Sequence, residues 1–317
     1  MTTHTPLRCS NSGMASYSGK VLLLNTGNYP SYNSYLNQSW IYNGANGAGD
    51  WTNASSSSAL LDPAGPLPGR TDHILAYDGT NVMLYGGRGI SSTDGVFQDT
   101  WLFNTSSSTW SKASPSVVPY GRAKAECAYL SGAGVVMFGG VLTNGQMLSE
   151  SWLWNGSTWA QTVIVNGTGP GARVDHCMAA SSNTVVMFGG SGNNSQNNHT
   201  WKYTTAGGGW TQLFPTVSPS IRSGACMSWD STNSVFVLFG GRNEYNYLPE
   251  TFTYSLSTNT WTQVSIGSGP CGKVGAQMSF DTTSNLNVMF GGIDATTNYP
   301  SNETWTFNGA TNVWKKL

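Results

Sequence analysis

Five times along the chain a short apolar run ends in two glycines: Val82 to Gly87, Val136 to Gly140, Val186 to Gly190, Val237 to Gly241 and Val288 to Gly292. The first glycine falls at 86, 139, 189, 240 and 291, so the pattern returns after 53, 50, 51 and 51 residues. A polar loop follows, and then an aromatic-x-aromatic triplet: Trp40-Ile41-Tyr42, Trp101-Leu102-Phe103, Trp152-Leu153-Trp154, Trp201-Lys202-Tyr203, Phe252-Thr253-Tyr254 and Trp305-Thr306-Phe307. Seven to eleven residues after each triplet opens stands a further Trp, at 51, 110, 159, 210, 261 and 314. Alternating aromatic and polar positions over four or five residues predict strands, and the Asn-Gly, Ser-Thr and Gly-Gly pieces between them predict hairpin turns. No helical period competes.

Each of six units therefore reads as four antiparallel strands. In the second they are Asp72 to Tyr77, Asn81 to Tyr85, Asp99 to Asn104 and Thr109 to Lys112. A period near fifty residues signals stacked supersecondary units that bury their apolar faces on one another. Four-stranded units closed radially make an all-β, six-bladed β-propeller, a single domain over residues 1–317 with blades at about 8–54, 70–113, 122–162, 173–213, 222–264 and 273–317. The glycine doublet, the spaced aromatics and the period resemble kelch repeats over the whole chain. Blade 1 departs from the pattern, with Asn25-Thr26-Gly27 in place of the doublet and a Ser/Pro/Gly-rich segment, Ala54 to Gly69, behind it. Blade 1 starts with its own first strand and blade 6 ends with its fourth, so ring closure is expected from packing of one on the other. Met1 to Pro6 remain as an additional edge strand, within the ring or to a neighbour.

Composition narrows the function. Charged residues are 9% of the chain and the net charge is -1, which supplies no basic stripe for nucleic acid. No apolar run has the length of a membrane span, and neither a span nor an intact signal peptide is expected. The five cysteines, Cys9, Cys127, Cys177, Cys226 and Cys271, lack Cys-x-x-Cys spacing and read as small core thiols, with a Cys9 to Cys271 disulfide as the alternative. No metal and no cofactor is expected. Asn-x-Ser/Thr sequons stand at Asn37, Asn53, Asn104, Asn155, Asn166, Asn193, Asn198 and Asn302. Chance alone gives roughly six or seven in a chain this rich in Asn, Ser and Thr. A surface of Ser, Thr, Asn and Gly suits an extracellular or surface-exposed protein.

A basic residue recurs ahead of each first strand: Arg8, Arg70, Arg122, Arg173, Arg222 and Lys273. Before each triplet stands Gln38, Asp99, Glu150, His199, Glu250 or Glu303, with His199 the exception. One reading has each Arg bonding carbonyls or an acid to hold its blade. The other makes a cationic ring at the channel mouth, joined by Arg88 and Arg242, that receives an acidic ligand. Arg-x-Asp-His occurs at Arg70 to His73 and at Arg173 to His176, a whole blade apart, and reads as structural. A channel cluster of Asp72, Glu126 and Asp175 specifies no reaction by itself.

The more distinctive signal is aromatic. The loops after the doublet position carry Tyr245 and Tyr247 in blade 5, Tyr299 in blade 6, and Tyr29, Tyr32 and Tyr35 in blade 1, while those of blades 2 to 4 carry none. Tyr offers rigid apolar area with a hydroxyl, suited to a sugar or a protein partner. Among the activities that the kelch resemblance brings, galactose oxidase needs a His- and Tyr-rich copper site, and plant specifier proteins an iron site of Glu, Asp and His; four scattered His, at 4, 73, 176 and 199, fit neither. The leading expectation is a non-catalytic binding or structural module that recognises a glycan or protein through the loop face. The alternatives are a self-assembling surface or fibre protein and a sugar mutarotase that uses channel Arg and acidic residues.

Overall fold

The structure, a computed structural model, describes residues 5–25, 38–44, 49–54, 61–62, 65–89, 95–162, 169–193, 195–265 and 267–317. Six four-stranded antiparallel sheets follow one another along the chain. Their strands are Gly13–Tyr17, Lys20–Asn25, Gln38–Asn43 and Asp50–Asn53 in blade 1, then Ile74–Tyr77, Asn81–Tyr85, Thr100–Asn104 and Thr109–Lys112 in blade 2. Blade 3 has Glu126–Leu130, Gly134–Phe138, Ser151–Trp154 and Trp159–Thr162, and blade 4 has Cys177–Ala180, Val185–Phe188, Thr200–Thr204 and Gly209–Leu213. Blade 5 has Ser223–Asp230, Val235–Arg242, Thr251–Ser255 and Thr260–Val264, and blade 6 has Lys273–Asp281, Leu286–Asp294, Thr304–Asn308 and Val313–Lys316. The result is a six-bladed, all-β propeller. Among the described residues no helix is long and apolar enough to cross a membrane.

The core lies between blades rather than at the centre of the molecule. Between blades 3 and 4, Val136, Phe138, Val185, Met187 and Trp210 form one sealed layer. Between blades 6 and 1, Val288 and Phe290 pack on Cys9, Val21, Leu23, Trp40 and Trp51. Closure thus rests on face-to-face packing of the first and last blades, and each contributes its own four strands. The segment before blade 1 adds to the seam: Cys9 N–H donates to the Ser301 carbonyl at 3.1 Å, and Gly292 N–H to the Cys9 carbonyl at 2.9 Å.

The fourth-strand tryptophans bind across every seam. Trp110 donates its indole N–H to Ser39 Oγ, Trp159 to Thr100 Oγ1, Trp210 to Ser151 Oγ, Trp261 to Thr200 Oγ1, Trp314 to Thr251 Oγ1 and Trp51 to Thr304 Oγ1, at 2.6 to 3.0 Å. The acceptor is always the hydroxyl residue just before the preceding blade's triplet. An indole buried between apolar sheets keeps a partner for its one polar atom in this way.

The glycine doublet is sterically required. At Gly139, with φ 71°, an added Cβ would lie 2.6 Å from the carbonyl oxygen of Arg173 in the next blade. The adjoining Gly140 N–H donates to that same carbonyl at 3.0 Å. The doublet therefore joins neighbouring blades through backbone so close that no side chain fits between them.

All five cysteines are free, which sets aside the Cys9 to Cys271 disulfide. Cys9, Cys127, Cys177 and Cys226 are buried thiols, and burial pushes the Cys9 and Cys226 thiols up to about 12.

Candidate functional site

The repeat arginines sit inside their blades rather than at the channel mouth. In blade 3, Arg122 donates from Nε to the Tyr120 carbonyl at 3.1 Å, from Nη1 to the Gly139 carbonyl at 3.1 Å and from Nη2 to Glu150 at 2.9 Å. Arg70 does the same with Pro68, Gly86 and Asp99, and Arg222 with Ser220, Gly240 and Glu250. Arg70, Arg122, Arg173 and Arg222 are at most 3% exposed. Carbonyls and acids of the same blade hold the charges of Arg70, Arg122 and Arg222, and the Gly171 and Gly189 carbonyls with Asn197 hold that of Arg173, so these arginines do not form the cationic ring allowed by the sequence. Lys273 pairs likewise with Asp294 and Glu303. In blade 1 the register differs from the expected one: Arg8 is exposed, and buried Cys9 takes the position whose carbonyl meets the glycine doublet.

The channel mouth is built by the residues two places further on. Asn11, Asp72, Lys124 and Asp175 all have φ between 54° and 59°, and Gly224 and Gly275 have φ of 66° and 69°. Their backbones link from blade to blade: Asn11 N–H to the Gly275 carbonyl, Asp72 to Asn11, Lys124 to Asp72, Asp175 to Lys124 and Gly224 to Asp175, at 2.7 to 3.4 Å. Blades 1 to 4 thereby present polar side chains to the axis, and blades 5 and 6 present bare backbone.

Beneath this ring lies a cavity of about 40 Å³ that brings Asp72, Glu126 and Asp175 together with Lys124, His73 and His176. Lys124 Nζ pairs with Asp175 at 3.0 Å. Burial and the Asp175 charge push the Glu126 carboxyl up to about 8. His73 and His176 are buried with neither ring nitrogen partnered, and burial with a nearby arginine holds both imidazoles neutral, His73 at about 3. The described residues include no group of three or more His, Cys, Asp and Glu arranged to hold a metal ion.

On the loop face, Tyr245 is 84% exposed and Tyr299 is 49% exposed. Asn243 sets the blade 5 loop by accepting from Tyr245 N–H at 3.0 Å and Asn246 N–H at 2.8 Å through its side-chain oxygen. In blade 6, Asp294 N–H donates to the Tyr299 carbonyl at 3.0 Å, and Asn298 N–H to the Asp294 carbonyl at 2.7 Å. Tyr247 then ties the two loops together, donating its hydroxyl to Asn298 Oδ1 at 2.9 Å. Tyr247 is thus a strut, and Tyr245 and Tyr299 are the more exposed of the three. Arg242, at the root of the blade 5 loop, and Arg88, at the blade 2 loop, are exposed as well. Tyr29, Tyr32 and Tyr35 lie outside the described residues.

Of the sequons, Asn53, Asn104, Asn155, Asn193 and Asn302 are exposed, whereas Asn198 is half-buried and donates to the Pro219 carbonyl at 3.1 Å. Asn37 and Asn166 lie outside the described residues. The sequence reading missed both the ring of hydroxyl acceptors and the ring at the mouth. The first was visible as the Ser or Thr before every triplet; the second needs backbone angles that no residue pattern gives, since Lys124 shares the conformation of Gly224.

Residues 154–317 match the family model described as the Attractin/LZTR1 beta-propeller, and residues 73–218 match the KLHDC2/KLHL20/DRC7 Kelch-repeats domain. Among solved structures, one titled "Structure of YjhT" is similar with a TM-score of 0.75 at 14% identity, over 99% of this chain and 98% of that one. At that identity the likeness is one of fold.

Proposed function

The chain belongs to the kelch-repeat β-propellers, and from that premise we propose that it is a non-catalytic binding module, extracellular or surface-exposed, that takes a glycan or protein ligand on its loop face at blades 5 and 6. The observation that carries this reading is the Tyr247–Asn298 hydrogen bond, which fixes two neighbouring loops so that Tyr245 and Tyr299 stand exposed beside each other's supports. Rigid exposed aromatic rings on braced loops lose little conformational entropy on binding. Arg242 and Arg88 add donors on the loop face. Arg70, Arg122, Arg173 and Arg222 serve instead as struts of the blades that carry the loops.

Binding to a glycan array and to cell surfaces, compared between the native chain and Tyr245→Ala/Tyr299→Ala, tests the proposal. Loss of binding with an unchanged melting temperature supports it, and retention of binding removes it.

A further inference from the structure

Repetition makes the blades controls for one another. In blade 3, Glu150 Oε2 accepts two hydrogen bonds, from Arg122 Nη2 at 2.9 Å and from Trp152 Nε1 at 3.0 Å. In blade 2, Asp99 takes the same two donors, Arg70 and Trp101, at 2.8 Å each on Oδ2. In blade 6, Glu303 lies between Lys273 and Trp305. Blade 5 has Phe252 in place of the tryptophan, and Glu250 meets Arg222 alone. Blade 1 has given up both charges together, with Cys9 and Gln38 at these positions and Trp40 bonded to Gln38 at 3.1 Å.

Blade 4 keeps both donors and lacks the acceptor. His199 stands where the acid belongs and is exposed. Arg173, 3% exposed, donates to the Gly171 carbonyl, the Gly189 carbonyl and, at 3.3 Å, to Asn197 Oδ1; none of these is an acid. Trp201, 7% exposed, has no partner for its indole N–H, while Trp40, Trp101, Trp152 and Trp305 all have one. Burial with no carboxylate to offset it brings the Arg173 guanidinium down to about 10. A buried cation without a carboxylate and a buried N–H without an acceptor are both costly, and the two point to the same missing group.

Both donors line an open cavity of about 480 Å³, together with Gly171, Asn197, His199 and Gln212. We propose that this pocket binds the carboxylate of a small organic acid, its oxygens taking the place that Glu150 fills in blade 3. Blade 2 supplies the fullest geometry: Asp99 meets Arg70 with both carboxylate oxygens and shares one of them with the Trp101 indole N–H, a two-oxygen fork that a spherical anion does not reproduce. Trp201 Nε1 is buried, which favours a small acid over the side chain of a protein partner. The site is independent of the loop-face tyrosines, which belong to blades 5 and 6.

The test is a titration of the full chain with sodium acetate and sodium succinate against sodium chloride at equal ionic strength, read at the Trp201 indole N–H resonance and by melting temperature. The native chain is expected to show a saturable Trp201 shift and a rise in melting temperature with the carboxylates and neither with chloride. His199→Glu restores the internal acid. That variant is expected to melt higher without ligand, to carry the Trp201 resonance at its carboxylate-bound position, and to show no further shift. His199→Ala, which restores neither charge nor acceptor, keeps the acetate response. Absence of a saturable shift in the native chain, an equal acetate response in His199→Glu, or a response confined to acidic peptides would overturn the proposal.

Discussion

Trp51 of blade 1 donates its indole N–H to Thr304 Oγ1 of blade 6 at 2.8 Å, across 253 residues of sequence. Five other tryptophan-hydroxyl pairs repeat this bond between consecutive blades, so the seam that closes the ring has the same chemistry as the seams within it. Thr304→Val removes the acceptor and leaves the indole N–H buried and unpaired, which costs about 1–3 kcal/mol. Ser39→Ala, which does the same to Trp110, is expected to cost a similar amount. Urea unfolding of the two variants checks this; a Thr304 variant as stable as the native chain would show that closure does not depend on the bond.

Arg122 is sealed in blade 3 with its guanidinium on Gly139 and Glu150. Arg122→Ala strands a half-buried carboxylate and a buried carbonyl, and removing one partner of such a pair costs about 3–5 kcal/mol. The loss should appear as a lower urea midpoint. A variant of native stability would return the arginine to the pool of ligand-binding candidates.

Glu126 gives the channel a pH signature. Its folded pKa is raised from 4.5 to about 8, mainly by burial. Below the unfolded value both states hold the proton and the site costs nothing. As pH rises from there towards 8 the unfolded chain ionises first, so stability falls across that window. Glu126→Gln cannot ionise, and its free energy of unfolding in urea is expected to match the native chain near pH 4.5 and to exceed it at pH 8 by an amount on the order of a few kcal/mol. Equal stability of the two proteins across that range would contradict the raised Glu126 pKa.

The architecture was legible because it is repetitive. The doublets, triplets and lone tryptophans marked six blades, and in blade 2 the four expected strands lie within two residues of the observed ones, with Asn81–Tyr85 and Thr109–Lys112 unchanged. The basic residue and the acid before the triplet were legible as a pair of positions. Their meeting inside one blade was not, because a period states that positions are equivalent and not which way their side chains turn. Arg8 shows the limit at the least regular blade, where one residue of register moved the structural position to Cys9. The His199 exception was visible too, yet its consequence depends on Arg173 and Trp201 converging on one pocket, which only the three-dimensional arrangement supplies. The tyrosines of blades 5 and 6 were found by loop comparison, and the structure divides them into a strut, Tyr247, and two exposed rings.

The central claim is that Tyr245 and Tyr299 form the contact surface, and an equilibrium titration of the bound glycan or protein tests it most directly. Tyr245→Ala and Tyr299→Ala each truncate an exposed ring, and a hot-spot aromatic lost in this way weakens binding by about 2 kcal/mol, near thirtyfold. The account predicts that loss in each variant, a larger loss in the double variant, and unchanged urea unfolding in all three. Native affinity in the double variant would contradict it.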